Sequence, residues 1–574
     1  MASGPADFQL RSETLACLPV INHFLARMGL GDVLGRHLPH DDARLRLAPA
    51  TVIGVVVRNL IVSHQPVYAL GEWAAPYDPA LLGLGPGEVD ALNDDRVGRM
   101  LDRLFDADRA SMITEVVLRS VREFDVELSQ LHNDSTTVTF SGAYRGATGK
   151  PRGGKATPAI TYGHNKDHRP DLKQLLCVLT VSADGAVPIA FRVEDGNTAD
   201  DVTHIPTWDE LAALVGRTDF LYVADCKLAN RAAMGHIASN GGRFVTVLPR
   251  SRKEDAEFRD WLWGHEPDWT EAHRRPGRHQ GDPDEVWHTT PALAPSAEGH
   301  RIIWVRSSTK IDRDAESRRA RIAKGIAALD ELNQRLASAR TRIRTVVAVE
   351  AAAVAALEAA GAARWVSFAV TETTEEDFRQ EKRGRPGANT RYRKLTRTHH
   401  RVTWTVNEDT VARDAASDGC FPLITNDTTI TGAEALAAYR YQPNLERRNH
   451  MLKGPQQIAP VYLRAPHRIE ALLLCQFLAL LTEALIEREI RTAMSAAELA
   501  SIPLYPELRS CPAPSAPRIL EIFNGVARHH LTSGDQTVQV FEPTLTPLQH
   551  QVLELLGVAA DTYTSTTGDP PDQR

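Results

Sequence analysis

Cysteine is scarce in this chain: Cys17, Cys177, Cys226, Cys420, Cys475 and Cys511 are the only six in 574 residues, and no two form a CxxC pair. That scatter excludes a zinc ribbon and a disulfide framework and fits a reducing compartment. Net charge is also small, −7 for the whole chain. Any nucleic-acid contact therefore has to come from local basic patches. There is no P-loop, no dinucleotide-binding glycine fingerprint, no GxSxG and no repeat of fixed period, which removes the commonest nucleotide-hydrolysing, redox and acyl-transfer classes. Long apolar runs are missing too. The most apolar segment, ALLLCQFLALLTEALI at 471–486, is interrupted by Gln476, Thr482 and Glu483. It is shorter than the roughly 20 residues of a membrane span, so a buried core helix and no membrane partner are expected. The first residues, MASGPADFQLRSETLA, lack the basic-then-apolar order of a secretory signal, and a cytoplasmic location is expected.

What is present is ordinary for a globular protein, with 43% hydrophobic and 24% charged residues. The length exceeds what one hydrophobic core can organise. Residues 1–125 predict a helical N-terminal domain, from LPVINHFLARMGLGDVLGRHL, TVIGVVVRNLIV and DRVGRMLDRLFDADRASMITEVVLRSVREF. The pattern suits a DNA-binding module and a plain packing domain equally. Over 126–250 short β-rich runs (VELSQLHNDSTTVTFSG, KQLLCVLTVSADGAVPIAFRVEDG, DFLYVADCKL, GRFVTVLP) surround the helical ANRAAMGHIASNGG. They predict a mixed sheet in an α/β layer domain. Residues 251–415 read as an insertion with its own core. It holds a strand at HRIIWVRSS, a helical hairpin with Ile322, Ile326, Leu329, Leu336 and Ile343 at heptad-like positions, and two strands flanking EKRGRPGANTRYRKLTR. Residues 416–500 would close the core with a strand at CFPLIT and two helices, and 501–574 form a C-terminal extension with a disordered tail.

Three acids sit in suggestive places. Asp134 interrupts the β-forming run LHNDSTTVTF, Asp225 ends FLYVAD where strand gives way to helix, and Glu446 follows Pro443 early in a helix. A carboxylate on an interior strand has to be paired, hydrogen-bonded or bound to a metal. Carboxylates converging from strand and helix can hold two hard cations of the kind that cleave phosphodiesters. Each acid alone has a plainer reading: a turn-forming or capping aspartate for Asp134 and Asp225, and a solvated helical residue for Glu446, which precedes Arg447 and Arg448.

YRYQPNLERRNHMLKG resembles the Tyr-x2-Arg-x3-Glu-x6-Lys signature of a large superfamily of bacterial insertion-sequence DDE transposases, the insertion-sequence-four superfamily. The match falls on Tyr439, Gln442, Glu446 and Lys453, with glutamine where the signature has arginine. IAPVYLRAPHRIEALLLCQFLALLTEALIERE, ITYGHNKDHRPDLKQ, FRVEDGNTADD, LYVADCKLANRAAM and SIPLYPELRSC also look like that family, in order, over about 130–557. The resemblance implies an RNase H-like catalytic core, interrupted by a large mixed α/β insertion between the second aspartate and the glutamate and preceded by the helical N-terminal domain. It implies that Asp134, Asp225 and Glu446 are catalytic ligands of two Mg²⁺ ions, with Mn²⁺ as a substitute. It implies double-stranded DNA as partner, as terminal inverted repeats and as target, bridged by a homodimer. Tyr439, Gln442 and Lys453 would contact DNA, although a neutral amide at Gln442 hydrogen-bonds a phosphate without neutralising it.

Two basic segments add DNA-binding candidates. GHNKDHRPDLKQ carries Lys166, Arg169 and Lys173, which also suit surface pairing with Asp167 and Asp171; a zinc pair at His164 and His168 is the lesser reading. KRGRPGANTRYRKLTR, 382–397, carries Arg383, Arg385 and Arg391 among seven cations and no acid. Its alternative is a solvated loop. Two rival functions stand beside the transposase: a DNA-binding descendant that does not transpose, and a nuclease of the same fold that cuts without joining.

Overall fold

A computed structural model describes residues 8–42, 44–277, 279, 281–338, 340–453, 463–534 and 536–564. Gly454, the start of IAPVYLRAP and nearly all of the expected disordered tail lie outside the described residues. Contacts divide the chain into two compact units, 1–246 with 438–574, and 247–437. The second unit takes in the strand Cys420–Thr425, which the sequence assigns to the closing part of the core. That strand pairs antiparallel with Arg301–Ser307, well inside the expected insertion.

In the first unit the fold is mixed α/β. Its sheet runs in the order Pro188–Glu194, Lys173–Ser182, Gln130–Phe140, Leu221–Ala224, Arg243–Val247. The first three strands are antiparallel neighbours and the last two join in parallel. Parallel strands need a crossover. The helix His204–Val215 leads into Leu221–Ala224, and Arg231–Ser239 leads on to Arg243–Val247. The central strands are buried on nearly every residue, as β-branched and aliphatic composition on both faces requires.

The N-terminal helices belong to this same unit. The stretch 18–38 is two helices, Leu18–Arg27 and Leu30–His37, because Gly29 adopts φ +63° between them. That left-handed backbone is what favours glycine there, since the nearest neighbour of a Cβ would be the movable end of Arg119. Asp94–Asp106 and Arg109–Glu123 are likewise separate, the second capped by Asp108, which accepts from Ser111 N at 3.2 Å. These helices pack on the long helix Pro466–Ala496, with Asp102 gripped by Arg468 at 2.7 Å through both oxygens and Arg109 paired with Glu470. Pro466–Ala496 is long and apolar enough to cross a membrane, and 94% of its most apolar window is buried inside the protein. It serves here as a core helix. Phe8–Thr14, a strand that composition did not suggest, pairs antiparallel with Ala527–Ser533, itself paired with Gln536–Phe541.

The second unit holds the antiparallel run Cys420–Thr425, Arg301–Ser307, Glu285–Pro291, Thr270–Arg275. It also holds the helices Ser308–Ala337 and Val346–Ala360 and a two-stranded ribbon, Val366–Gln380 with Tyr392–Val406. Leu329 and Leu336 bury against Val349, Ala353 and Leu357, as their heptad-like spacing predicts. Ile343 departs from that expectation: it lies in the connection after the first helix and packs on the same cluster from outside. The helix has already ended at Ala337, with Ser338 extended.

Candidate active site

Strand alternation sets the site. His132 and Asp134 project from the same face of Gln130–Phe140, and the helix Gln442–Lys453 lies across that face. His132 is fully buried, with Nδ1 3.1 Å from Gln442 Oε1, Nε2 2.9 Å from Gln130 Nε2 and its ring 4.7 Å from that of Tyr441. Asn449 Nδ2 donates to Asp134 Oδ2 at 2.9 Å. Gln442, Glu446, Asn449 and Lys453 recur at intervals of four, three and four, one stripe along the helix. Glu446 thus stands on the stripe between a residue touching His132 and one touching Asp134, with its own carboxylate exposed.

The two aspartates are neighbours by register. Gln130↔Leu221, Leu131↔Tyr222, His132↔Val223 and Asn133↔Ala224 are parallel partners. Asp134 and Asp225 are the next residue on each strand. Asp225 ends its strand by capping the turn Cys226–Leu228: its Oδ1 accepts from Lys227 N at 3.0 Å, and its carbonyl accepts from the Thr246 hydroxyl at 2.5 Å. The capping reading therefore holds for Asp225, and it leaves the residue beside Asp134. Burial pushes the Asp134 carboxyl above its usual range; the Lys166 ammonium opposes this, and Asp225 and Asp200 add to it. Burial, then Asp225, Cys226 and Glu446, raise the Tyr439 hydroxyl to about 12. Tyr439 ends the helix Gly432–Tyr439 and feels both acids, while Gln442 opens the next helix with Pro443 in its first turn.

Sequence reasoning missed several members. Asp200 accepts from the Ser135 hydroxyl at 2.9 Å and pairs with Lys166 at 3.1 Å. Lys166 also donates to Ser135 O at 2.5 Å and lies 3.7 Å from Asp134 Oδ1. It therefore balances acids within the site. Asn449 and His132 carried no separate signal, although Asn449 falls at i+3 from Glu446 on the motif's own helix. Arg448, given no role from sequence, is fully buried. Its Nη2 meets Glu487 Oε2 at 2.9 Å and Gly185 O at 3.1 Å, and its Nε donates to Ala186 O at 3.0 Å.

The remaining basic candidates scatter. Lys453 pairs with Asp167 at 2.8 Å and Arg169 with Asp171 at 2.7 Å, while Lys173 donates to Ala143 O at 2.7 Å. Arg383, Arg385 and Arg391 are exposed in the second unit, at the tip of the ribbon. The donors around Asp134 and Asp225 are hard oxygens, the kind Mg²⁺ takes. Asp225 and Asp200 crowd the Asp134 carboxyl, and Lys166 is the cation set against them. Among the described residues, however, no group of three or more His, Cys, Asp or Glu side chains is disposed to hold a metal. The His164/His168 pair is included in that statement. Asp134 and Asp225 are brought together, and Glu446 faces them without closing on them.

A family model described as a domain of unknown function, DUF4277, matches residues 10–118. No curated protein matches the chain. A cryo-EM structure of a piggyBac transposase synaptic complex with hairpin DNA is similar at 10% identity, over 52% of this chain and 60% of that one, with a TM-score of 0.26. The match thus covers less than two thirds of that chain, and so distant a likeness fixes no residue or role.

Proposed function

We propose that this protein is a DNA transposase of the DDE type, which binds the ends of an insertion sequence, cuts there and joins the freed end to target DNA. The observation that carries the reading is the juxtaposition of Asp134, midway along its strand, with Asp225, just past the end of the parallel neighbour, beneath the helix stripe that presents Glu446. The strand order supports an RNase H-like core, since three antiparallel strands continue into two parallel ones. Asp134, Asp225 and Glu446 would hold two Mg²⁺ or Mn²⁺ ions. Such ions lower the pKa of a bound water or 3′-hydroxyl and take up charge on the departing oxygen. The chain's own groups do the positioning. Asn449 orients the Asp134 carboxylate, the His132–Gln442 contact seats the helix start against the strand, and Lys166 supplies a resident cation between Asp134 and Asp200.

Double-stranded DNA, a homodimer bridging two ends and a cytoplasmic, nucleoid-associated location belong to the same proposal. One observation favours a second reading, a DNA-binding descendant that does not cut: the three acids are not gathered as a metal centre among the described residues. Excision and joining of a mini-element by wild type and by Asp134→Ala, Asp225→Ala and Glu446→Ala separates them. Loss of cleavage with DNA binding retained in each variant supports the transposase. A wild type that binds ends in Mg²⁺ and never cuts them supports the descendant, and one that cuts without joining is a nuclease.

A further inference from the structure

The ribbon of the second unit has two halves of different character. At its base, Val366, Phe368, Val370, Val402 and Trp404 pack on the helical hairpin. Asn333 closes the strand edge there, exchanging hydrogen bonds of 2.8 Å with both backbone groups of Val402. Beyond Thr371 nearly every residue is exposed. The nine steps from Thr371 to Gln380 project the tip by about 31 Å at an antiparallel rise. Nothing among the described residues covers this arm.

Charge is distributed along it unevenly. The segment 366–406 holds nine Lys and Arg against five Asp and Glu, in a chain whose net charge is −7. Along the shaft the two signs nearly balance: Lys394 pairs with Glu376 at 2.5 Å and Arg379 with Asp377 at 3.3 Å, and His399, charged only when protonated, lies 3.4 Å from Glu375. At the tip, Arg383, Arg385 and Arg391 have no ion-pair partner among the described residues. The turn that carries them is ordered by its own bonds: Glu381 N to Arg391 O at 3.0 Å, Gln380 Nε2 to Gly384 O at 3.1 Å and Gly387 N to Thr390 Oγ1 at 2.7 Å. Just below the tip stand two aromatics, Phe378 at 59% and Tyr392 at 50% exposure. Phe378 lies opposite Lys394 and Gln380 opposite Tyr392. Opposed residues, and residues two apart, share one face of a ribbon, so the two rings are diagonal neighbours on a single side.

We infer that this arm is a DNA reader: it enters the major groove of duplex DNA, sets Arg383, Arg385 and Arg391 on backbone phosphates and lays the Phe378–Tyr392 face against base edges. The inference rests on the transposase reading for its ligand. The major groove, about 12 Å wide, admits a two-stranded ribbon. Phosphates are the partner that uncompensated tip cations complement. Aromatic side chains on one face meet thymine methyls and base edges there, while the nearly balanced shaft adds little repulsion or nonspecific grip. A protein partner would bury the rings without needing the tip arginines, which favours DNA as the occupant.

The test uses the full chain, a duplex carrying the element's end and a random duplex, with affinity measured across a salt series and guanine N7 protection mapped by methylation. Replacing Arg383, Arg385 and Arg391 by alanine is expected to lower the slope of log affinity against log salt by about 2.7, at roughly 0.9 per phosphate. The same three positions changed to lysine should keep the slope. Phe378→Ala with Tyr392→Ala should leave the slope in place and abolish N7 protection. All five side chains are exposed, so folding is not at stake. An unchanged slope in the alanine variant, or unchanged N7 protection without the aromatics, overturns the arm's role while leaving the transposase reading standing. A wild type that binds neither duplex overturns both.

Discussion

At the scale of single residues, the site is governed by groups that hold the acids. Asn449 is the sole described hydrogen-bond donor from the overlying helix to Asp134. Removing such a supporting partner commonly costs about 10–100-fold in activity or metal affinity. Asn449→Ala should therefore lower the cleavage rate on that scale with DNA affinity unchanged, measured as single-turnover cutting of an end-containing duplex. His132 offers a separate, pH-based check. Burial holds its pKa down at about 4, against 6.5 when exposed. The folded state thus resists protonation that the unfolded state accepts. Its contribution to stability is complete above pH 6.5 and is lost as pH falls towards 4, at up to about 1.4 kcal/mol per pH unit. His132→Phe retains a ring against Tyr441 and should flatten that part of the acid limb in pH-resolved denaturation curves. A variant with an unaltered acid limb would show that His132 is not held neutral. From sequence, Asp134 was legible because a carboxylate breaks a β-run. His132 and Asn449 were not, because their roles depend on partners more than 300 positions away.

At the scale of elements, the helix Gln442–Lys453 presents Glu446 on one face and is anchored by the other. Arg448 and Glu487 are both fully buried, and Glu487 also meets Arg447 at 2.5 Å and accepts from Ala516 N at 3.0 Å. The pair ties the helix to Pro466–Ala496 and, through Gly185 O and Ala186 O, to the turn leading into the strand Pro188–Glu194. Taking Glu487 away leaves the buried Arg448 charge uncompensated, which costs about 3–5 kcal/mol, whereas without Arg448 the Glu487 carboxylate keeps Arg447 and Arg491. Glu487→Met should destabilise by that amount in urea, Arg448→Met by less, and the double change by less than the sum of the two single changes. Additive effects would mean the two charges do not depend on each other. Local composition gave no sign of this anchor, since charge alone cannot reveal which of two adjacent arginines turns inward. The strands 130–140, 173–182 and 221–224 were legible from β-forming runs bounded by turn residues. The end of the helix before Ile343 was not, because an apolar residue in a link packs on the same core as one on the helix.

At the scale of the whole molecule, the division at 246 and 438 rests on strand partners that lie far apart in sequence. Cys420–Thr425 joins Arg301–Ser307 across more than 110 positions, a pairing that no local pattern announces. The two aspartates singled out in the sequence lie one register step beyond the last paired residues of two adjacent parallel strands, and Glu446 lies on the helix that donates to Asp134. Whether these oxygens are metal ligands is the central claim. The most direct measurement replaces each in turn, Asp134→Cys, Asp225→Cys and Glu446→Cys, and follows cutting of an end-containing duplex in Mg²⁺ and in Mn²⁺. A thiolate is a poor ligand for hard Mg²⁺ and a better one for a softer transition metal. The account predicts loss of cutting in Mg²⁺ and its recovery in Mn²⁺ for all three variants. Variants that cut normally in Mg²⁺, or that stay inactive in both metals while wild type cuts in each, would contradict it.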